Sequence, residues 1–270
     1  MASSVRRRLA AGERLLGTVL ACRDPGLAEL AGAHFDLAWI DLEHSALDIA
    51  DVPPLALALT AARCDPLVRL PSSQFERFAA VLDVGIDGVV VPRLETAAEA
   101  ADVVARMHYP PAGTRGFAAR RGAGYDGQVR DDDGPACLVQ IESRAAVTAA
   151  PEIAEIHGVD ALVVGSADLA LDLGVPAELT GVAMRAALAA VRDAAHGAGA
   201  AFGLAVSGEP EVIAGAAGGC ADLIVYSADV RIYAKALDEA GARLRTALLE
   251  PATESRQMPR SALRTDVHGR

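Results

Sequence analysis

The stretch "AWIDLEHSALD", residues 38–48, opens as a strand that could be buried on both faces (Ala38, Trp39, Ile40) and runs straight into Asp41, Glu43 and His44. A short apolar run of this kind fits a parallel strand covered on both sides. Two further stretches share the form: "CLVQIES" (137–143) reaches Glu142, and "ALVVGSADLA" (161–170) reaches Asp168. Buried strands that each finish in charge raise the question of where their ends meet.

Working outward, short apolar runs alternate with longer Ala-rich segments of helical period. Strands read near 15–20, 36–41, 66–70, 87–92, 136–142, 160–165, 201–206 and 221–226. Between them lie amphipathic segments such as "DPGLAELAGA" (24–33), "QFERFAAVLDVG" (74–85), "ETAAEAADVVARM" (95–107), "GVAMRAALAAVRDAAHGAG" (181–199) and "EPEVIAGAAGGC" (209–220). Several end in Gly, which favours a helix C-terminus. Eight βα units in 270 residues point to an α/β (β/α)8 TIM barrel, and the absence of GxGxxG and GxxxxGK[ST] patterns weakens an open doubly wound sheet.

With 52% hydrophobic residues the chain can bury one large core, so the expected organisation is a single barrel domain over 1–250 and a polar, mobile tail over 251–270. A formal net charge of −11 argues against nucleic acid or an anionic membrane as main partner and in favour of a small-molecule substrate. Cys22, Cys64, Cys137 and Cys220 form no CxxC pair and read as buried thiols in a reducing, cytoplasmic compartment. Glu13 and Arg14 interrupt the apolar run that a signal peptide would need, and no stretch is long and apolar enough to span a membrane.

In a barrel, residues at the C-terminal strand ends share one mouth, where this fold does its chemistry. His44 follows strand 2, Arg69 ends strand 3, Gln140 and Glu142 end strand 5, and Asp168 follows strand 6. Taken singly, Glu142 reads as a helix cap or a partner of Arg144, and Asp168 as an N-cap. Taken together, carboxylates at neighbouring strand ends with no Cys or His cluster suit a hard divalent cation that keeps positions open for water and substrate. His44 reads either as a hydrogen-bonded loop residue or as a general base oriented by an acidic neighbour such as Asp41. Arg69, in an apolar context, has to meet an anion or a carbonyl oxygen. Lys235 is the only lysine in the chain and lies beyond strand 8, so a Schiff-base aldolase mechanism has no amine to use inside the barrel.

The markers "FDLAWIDLEHSALD", "PLVRLP", "LDVGIDGVVVPRLETAAEA", "YPPAGTRGFA", "QIES" and "VGSADLALDLG", in this order and spacing, make the chain resemble the HpcH/HpaI class II pyruvate aldolases of the phosphoenolpyruvate-binding barrel superfamily over roughly residues 5–240. The resemblance implies a metal-dependent carbon–carbon lyase that cleaves a 4-hydroxy-2-oxo acid to pyruvate, or a related 2-oxo acid, and an aldehyde, or runs the reverse addition. It implies Glu142 and Asp168 as ligands for Mg²⁺, Mn²⁺ or Co²⁺, and the backbone of Gly165, Ser166, Ala167 and Asp168 as the seat of the pyruvate carboxylate. Arg69 falls on the keto oxygen, Gln140 orients the pyruvate unit, and His44, paired with Asp41 or Asp83, acts as base through a water. A homo-oligomer, hexamer or trimer, is also implied. Departures at "GTVLAC" (17–22), at Ala46 and Leu47, and in the short acidic "YDGQVRDDDGPA" (125–136) bear on the aldehyde pocket and on subunit packing. The competing functions are a CoA-thioester lyase of the citrate-lyase-β or malyl-CoA type and a barrel that binds an oxo acid without turning it over.

Overall fold

In the computed structural model, which describes residues 4–71, 76–125 and 134–249, eight parallel strands close into a barrel in strict chain order. They are β1 (Leu15–Leu20), β2 (Leu37–Asp41), β3 (Asp65–Arg69), β4 (Gly88–Val91), β5 (Ala136–Ile141), β6 (Ala161–Gly165), β7 (Ala201–Val206) and β8 (Leu223–Ala228), with β8 pairing back to β1. The expected (β/α)8 architecture is the observed one, with strand limits within two residues of the sequence reading.

The helices are α1 (Ser4–Ala10), α2 (Pro25–Gly32), α3 (Val52–Ala61), α4 (Phe78–Asp83), α5 (Ala97–Met107), α6 (Arg144–Ala154), α7 (Ser166–Leu173), α8 (Val182–Ala198), α9 (Pro210–Ala217) and α10 (Asp229–Leu249). Their ends follow from local chemistry. The Asp24 carboxylate accepts from the Leu27 N–H ahead of Pro25, Thr96 and Glu99 form a capping box on α5, and Ser143 caps α6. Gly174 and Gly199 close α7 and α8 in the left-handed conformation.

Alternation along each strand sorts the apolar side chains into two cores. Leu15, Leu37, Trp39, Leu67, Leu138, Val163, Leu223 and Val225 fill the barrel interior, while a larger set packs between the outer strand faces and the helices. The interior is closed from below by α1, whose Val5 and Leu9 join the interior cluster. Its arginines meet carboxylates at the strand entrances. Arg6 donates to both oxygens of Asp160 at 2.8 and 3.0 Å, and Arg8 to Asp36 at 2.7 Å and Asp65 at 3.5 Å. The Ser4 N–H reaches Asp87 at 3.2 Å. Several of these aspartates also accept a strand N–H, Asp36 from Leu16 and Asp160 from Cys137, so they stitch the barrel rim. Burial and the neighbouring Asp87 push the Asp65 carboxyl up to about 6 against the pull of Arg8.

The chain divides into two compact units, Met1–Arg231 and Ile232–Arg270. The first holds all eight strands; the described part of the second is the run of α10 from Ile232 to Leu249. The 251–270 tail and most of the 125–136 segment lie outside the described residues. None of the described helices is long and apolar enough to cross a membrane. The four cysteines are free, but only Cys64 and Cys137 are buried; Cys22 is half-buried and Cys220 exposed, which corrects the reading of four buried thiols.

Candidate active site

The C-terminal ends of β2 and β3 are in register, with Asp41 beside Arg69. Both side chains are nearly buried, and they form a two-pronged pair: Arg69 Nε donates to Asp41 Oδ1 at 2.9 Å and an Nη to Oδ2 at 2.6 Å. Asp41 Oδ1 also accepts the backbone N–H groups of Glu43 and His44 at 3.0 and 3.2 Å, folding the chain after β2 into a tight turn. Burial pushes the Asp41 carboxyl up, and Arg69 with these N–H groups more than reverses it, holding the group below the usual carboxylate range. Asp41 is therefore the partner that fixes Arg69. Two of the five guanidinium donors are taken, and replacing either partner alone would strand a buried charge.

The imidazole of His44 is half-exposed, and its Nε2 lies 3.6 Å from Glu43 Oε2. This departs from the expected pairing with Asp41 or Asp83. The Asp41 oxygens are committed to Arg69 and the turn, and Asp83, the last residue of α4, accepts instead from the buried Arg115 at 3.0 Å. Asp83 is thus held by the loop after α5.

On the opposite side, β5 delivers Gln140 and, just beyond its end, Glu142. Gln140 Nε2 donates to Glu142 Oε1 at 3.0 Å, and Gln140 Oε1 has no hydrogen-bond partner among the described residues. Glu142 is buried, and its carboxyl is pushed up to about 7 by burial first and then by the negative charges of Glu43 and Asp168. It sits against β6 at Gly165, where a Cβ would lie 2.5 Å from Glu142 Oε1 and 2.8 Å from its Cγ. Only glycine leaves the carboxylate this berth. Gly165 is also the N-cap of α7, whose first turn carries Ser166, Ala167 and Asp168 and has no side-chain cap, so the backbone N–H groups there are open to an anion. The Ser166 hydroxyl is turned aside, donating to the Ala205 carbonyl at 3.1 Å.

Two participants carried no assigned role in the sequence reading. Glu43 is almost buried, 3.5 Å from Arg69 Nε. Arg93, two residues past β4, places its guanidinium 3.4 Å from both Glu43 Oε1 and Asp168 Oδ1 and donates its backbone N–H to Glu142 Oε2 at 3.3 Å. The available signal was the one used for Arg69: a guanidinium directly after a buried strand has to meet an anion.

The mouth therefore gathers Asp41, Glu43, Arg69, Arg93, Gln140, Glu142 and Asp168 into one polar network above an apolar interior. Among the described residues no group of three or more His, Cys, Asp or Glu is placed to hold a metal ion. The donor set offered by Glu142 and Asp168 is two hard carboxylate oxygens, which fits a divalent cation that retains water and takes further ligands from substrate. Crowded and desolvated carboxylates, with Glu142 raised toward neutrality, are also what a cation would relieve.

The family profile described as HpcH/HpaI aldolase/citrate lyase matches residues 20–224. The chain is 35% identical over 208 residues to a hydroxypyruvate/pyruvate aldolase of Roseovarius nubinhibens, covering 73% of this chain and 81% of that protein. It is 38% identical over 180 residues to a 4-hydroxy-2-oxovalerate aldolase of Rhodococcus jostii, covering 64% and 70%. Among solved structures, an HpcH/HpaI aldolase/citrate lyase family protein of Burkholderia cenocepacia superposes with a TM-score of 0.83 at 32% identity, covering 90% of this chain and all of that one.

Proposed function

Because the chain belongs to the HpcH/HpaI aldolase/citrate lyase family and is a carbon–carbon lyase, we propose that it cleaves a 4-hydroxy-2-oxo acid to pyruvate, or a related 2-oxo acid, and an aldehyde, and catalyses the reverse addition. The observation that carries this reading is the facing pair at the mouth: a guanidinium locked in place by Asp41, opposite a buried carboxylate raised to about 7 beside Asp168.

Glu142 and Asp168 are the residues that would hold a divalent cation, Mg²⁺, Mn²⁺ or Co²⁺; once bound it supplies Lewis-acid stabilisation to the 2-oxo group. The open first turn of α7 receives the substrate carboxylate through backbone N–H groups, and Gln140 orients the 2-oxo acid from beneath. His44, steered by Glu43, takes the proton of the C4 hydroxyl. The electron pair of the C3–C4 bond then moves toward the 2-oxo oxygen, the aldehyde departs, and proton return to C3 gives the 2-oxo acid. Arg69 stabilises the charge that reaches that oxygen. Because Asp41 has already aligned it, little reorganisation is needed at the moment of reaction. No step calls on an amine: the chain's only lysine, Lys235, lies on α10, past β8 in the sequence.

We also read the protein as a homo-oligomer. Leu16 on the outer face of β1 is 51% exposed, and Val230, Tyr233, Leu237, Leu244 and Leu248 fall on one stripe of α10. A monomer by light scattering at micromolar concentration refutes this.

Turnover tests the activity. Chelator-treated protein is supplied with pyruvate or hydroxypyruvate and a panel of aldehydes, with and without added cation, beside the Glu142→Ala and Asp168→Ala variants. The names of the two relatives put pyruvate, hydroxypyruvate and 4-hydroxy-2-oxovalerate first among substrates to try. Cation-dependent product in the wild type and none in the variants is the expected result. Full activity in either variant, with metal still bound stoichiometrically, overturns the site. Turnover confined to acyl-CoA thioesters overturns the substrate class.

A further inference from the structure

Arg93 is held unlike any other cation at the mouth. Its backbone adopts a left-handed φ of 59° directly after Pro92, a conformation that non-glycine residues occupy at a cost and that tends to cluster at functional sites. That conformation lets one residue serve three carboxylates: the N–H goes to Glu142, and the guanidinium lies between Glu43 and Asp168, on two different strand ends. Arg69 is nearly buried and bonded to Asp41 at 2.6 and 2.9 Å, and its charge is already balanced there. Arg93 is 56% exposed, and both its guanidinium contacts are long, at 3.4 Å. One cation is fixed, the other loosely held.

Charge balance explains why the loose one is needed. Glu43, Glu142 and Asp168 converge on this one residue, Glu142 at 3.3 Å from its N–H and the other two at 3.4 Å from its guanidinium. Arg69 is bonded to Asp41 and lies 3.5 Å from Glu43, so the cation that meets Asp168 among the described residues is Arg93. We propose that the Arg93 guanidinium is a displaceable counter-ion of the site: it bridges Glu43 and Asp168 and surrenders Asp168 when a divalent cation binds, staying tethered through Glu43 and its own backbone. This rests on the reading of Glu142 and Asp168 as metal ligands and deepens it, making Arg93 a positioning residue that sets the affinity of the site for its ion. Asp168 is then kept from collapsing onto other groups before loading, and the exposed arm can leave without disturbing Glu142, because the bond to Glu142 comes from the backbone.

The experiment is calorimetric titration of MnCl₂ into chelator-treated wild type, Arg93→Gln and Arg93→Lys, paired with thermal unfolding of each protein with and without saturating Mn²⁺. Removing a competitor that makes exposed ion pairs should tighten Mn²⁺ binding about threefold to tenfold in Arg93→Gln. Arg93→Lys, which keeps the charge but lacks the fork that spans two carboxylates, should fall between. Without metal, Arg93→Gln should unfold at a lower temperature than wild type, and the gap should close on saturation; a residue with a merely structural role would leave the gap unchanged. Mn²⁺ binding of wild-type strength, or weaker, in Arg93→Gln overturns the proposal while leaving the metal site standing. Failure of the wild type itself to bind Mn²⁺ overturns the site and the proposal together.

Discussion

Gly165→Ala should disable the site while leaving the barrel intact, and the structure says by how much. The backbone at Gly165, φ −80° and ψ 92°, is accessible to any residue, so alanine meets no conformational obstacle. The obstacle is Glu142: the new Cβ would lie 2.5 Å from Oε1, 2.8 Å from Cγ and 3.1 Å from Cδ. Ordinary carbon contacts begin near 3.5 Å, so the glutamate side chain has to move by about 1 Å along much of its length. It is poorly able to do so, since Gln140 holds one oxygen at 3.0 Å and the Arg93 N–H the other at 3.3 Å. A displacement of about 1 Å in a catalytic constellation lowers turnover on the order of 10²-fold. An added methyl in a packed position destabilises by about 1–3 kcal/mol, well inside the total stability of a folded domain. The assay is release of pyruvate from a 4-hydroxy-2-oxo acid, with kcat and KM separated, beside Mn²⁺ binding and thermal unfolding of the same preparation. A variant with kcat/KM within about threefold of wild type, at unchanged Mn²⁺ affinity, would refute the placement of Glu142 in the chemistry.

Arg69→Ala should lose about 10²-fold or more in turnover, as removal of a charge-stabilising donor does; exchange of the pyruvate C3 protons in deuterated water at the wild-type rate would count against its role. Borohydride with pyruvate present should neither inactivate the protein nor add mass to it, and Lys235→Arg should be nearly silent, whereas a trapped adduct on Lys235 with activity indifferent to chelator would reverse the mechanism. At the closed end of the barrel, Asp65 carries a folded-state value of about 6, above the ~3.9 of an unfolded aspartate, so the folded protein keeps the proton longer and its contribution to stability falls between about pH 4 and pH 6 and is flat above. Asp65→Asn should remove that slope; parallel curves of unfolding temperature against pH for variant and wild type would show the assignment to be wrong.

The barrel was legible because its strands are short apolar runs with polar ends, a pattern that survives without tertiary information. Helices were less so. The segment 52–61, "VPPLALALTA", is apolar all round and begins with Pro53 and Pro54, so it offers no polar face to reveal a helical period, and α6 carries Pro151 in its interior. The strand-end residues Asp41, Arg69, Gln140, Glu142 and Asp168 could be named in advance because strand ends of a barrel converge whatever the register. Their pairings could not. Asp41 was free to serve His44 or Arg69 until the β2–β3 register placed it beside the arginine. Arg93 was within reach of the rule applied to Arg69, but its three-way contact depends on one backbone torsion, and nothing in "VPRLET" announces a left-handed arginine.

The docking of α1 beneath the barrel has a consequence for the order in which the chain takes shape. Its hydrogen bonds reach Asp36, Asp87 and Asp160, the last separated from Arg6 by 154 residues. Helix α1 therefore has no complete seat until the chain as far as β6 is in place, and until then Val5 and Leu9 lack their partners in the barrel interior. The stopper waits for the vessel, which makes sealing the floor one of the late events in the protein's assembly and leaves the arginines of α1 to keep that helix soluble in the interval.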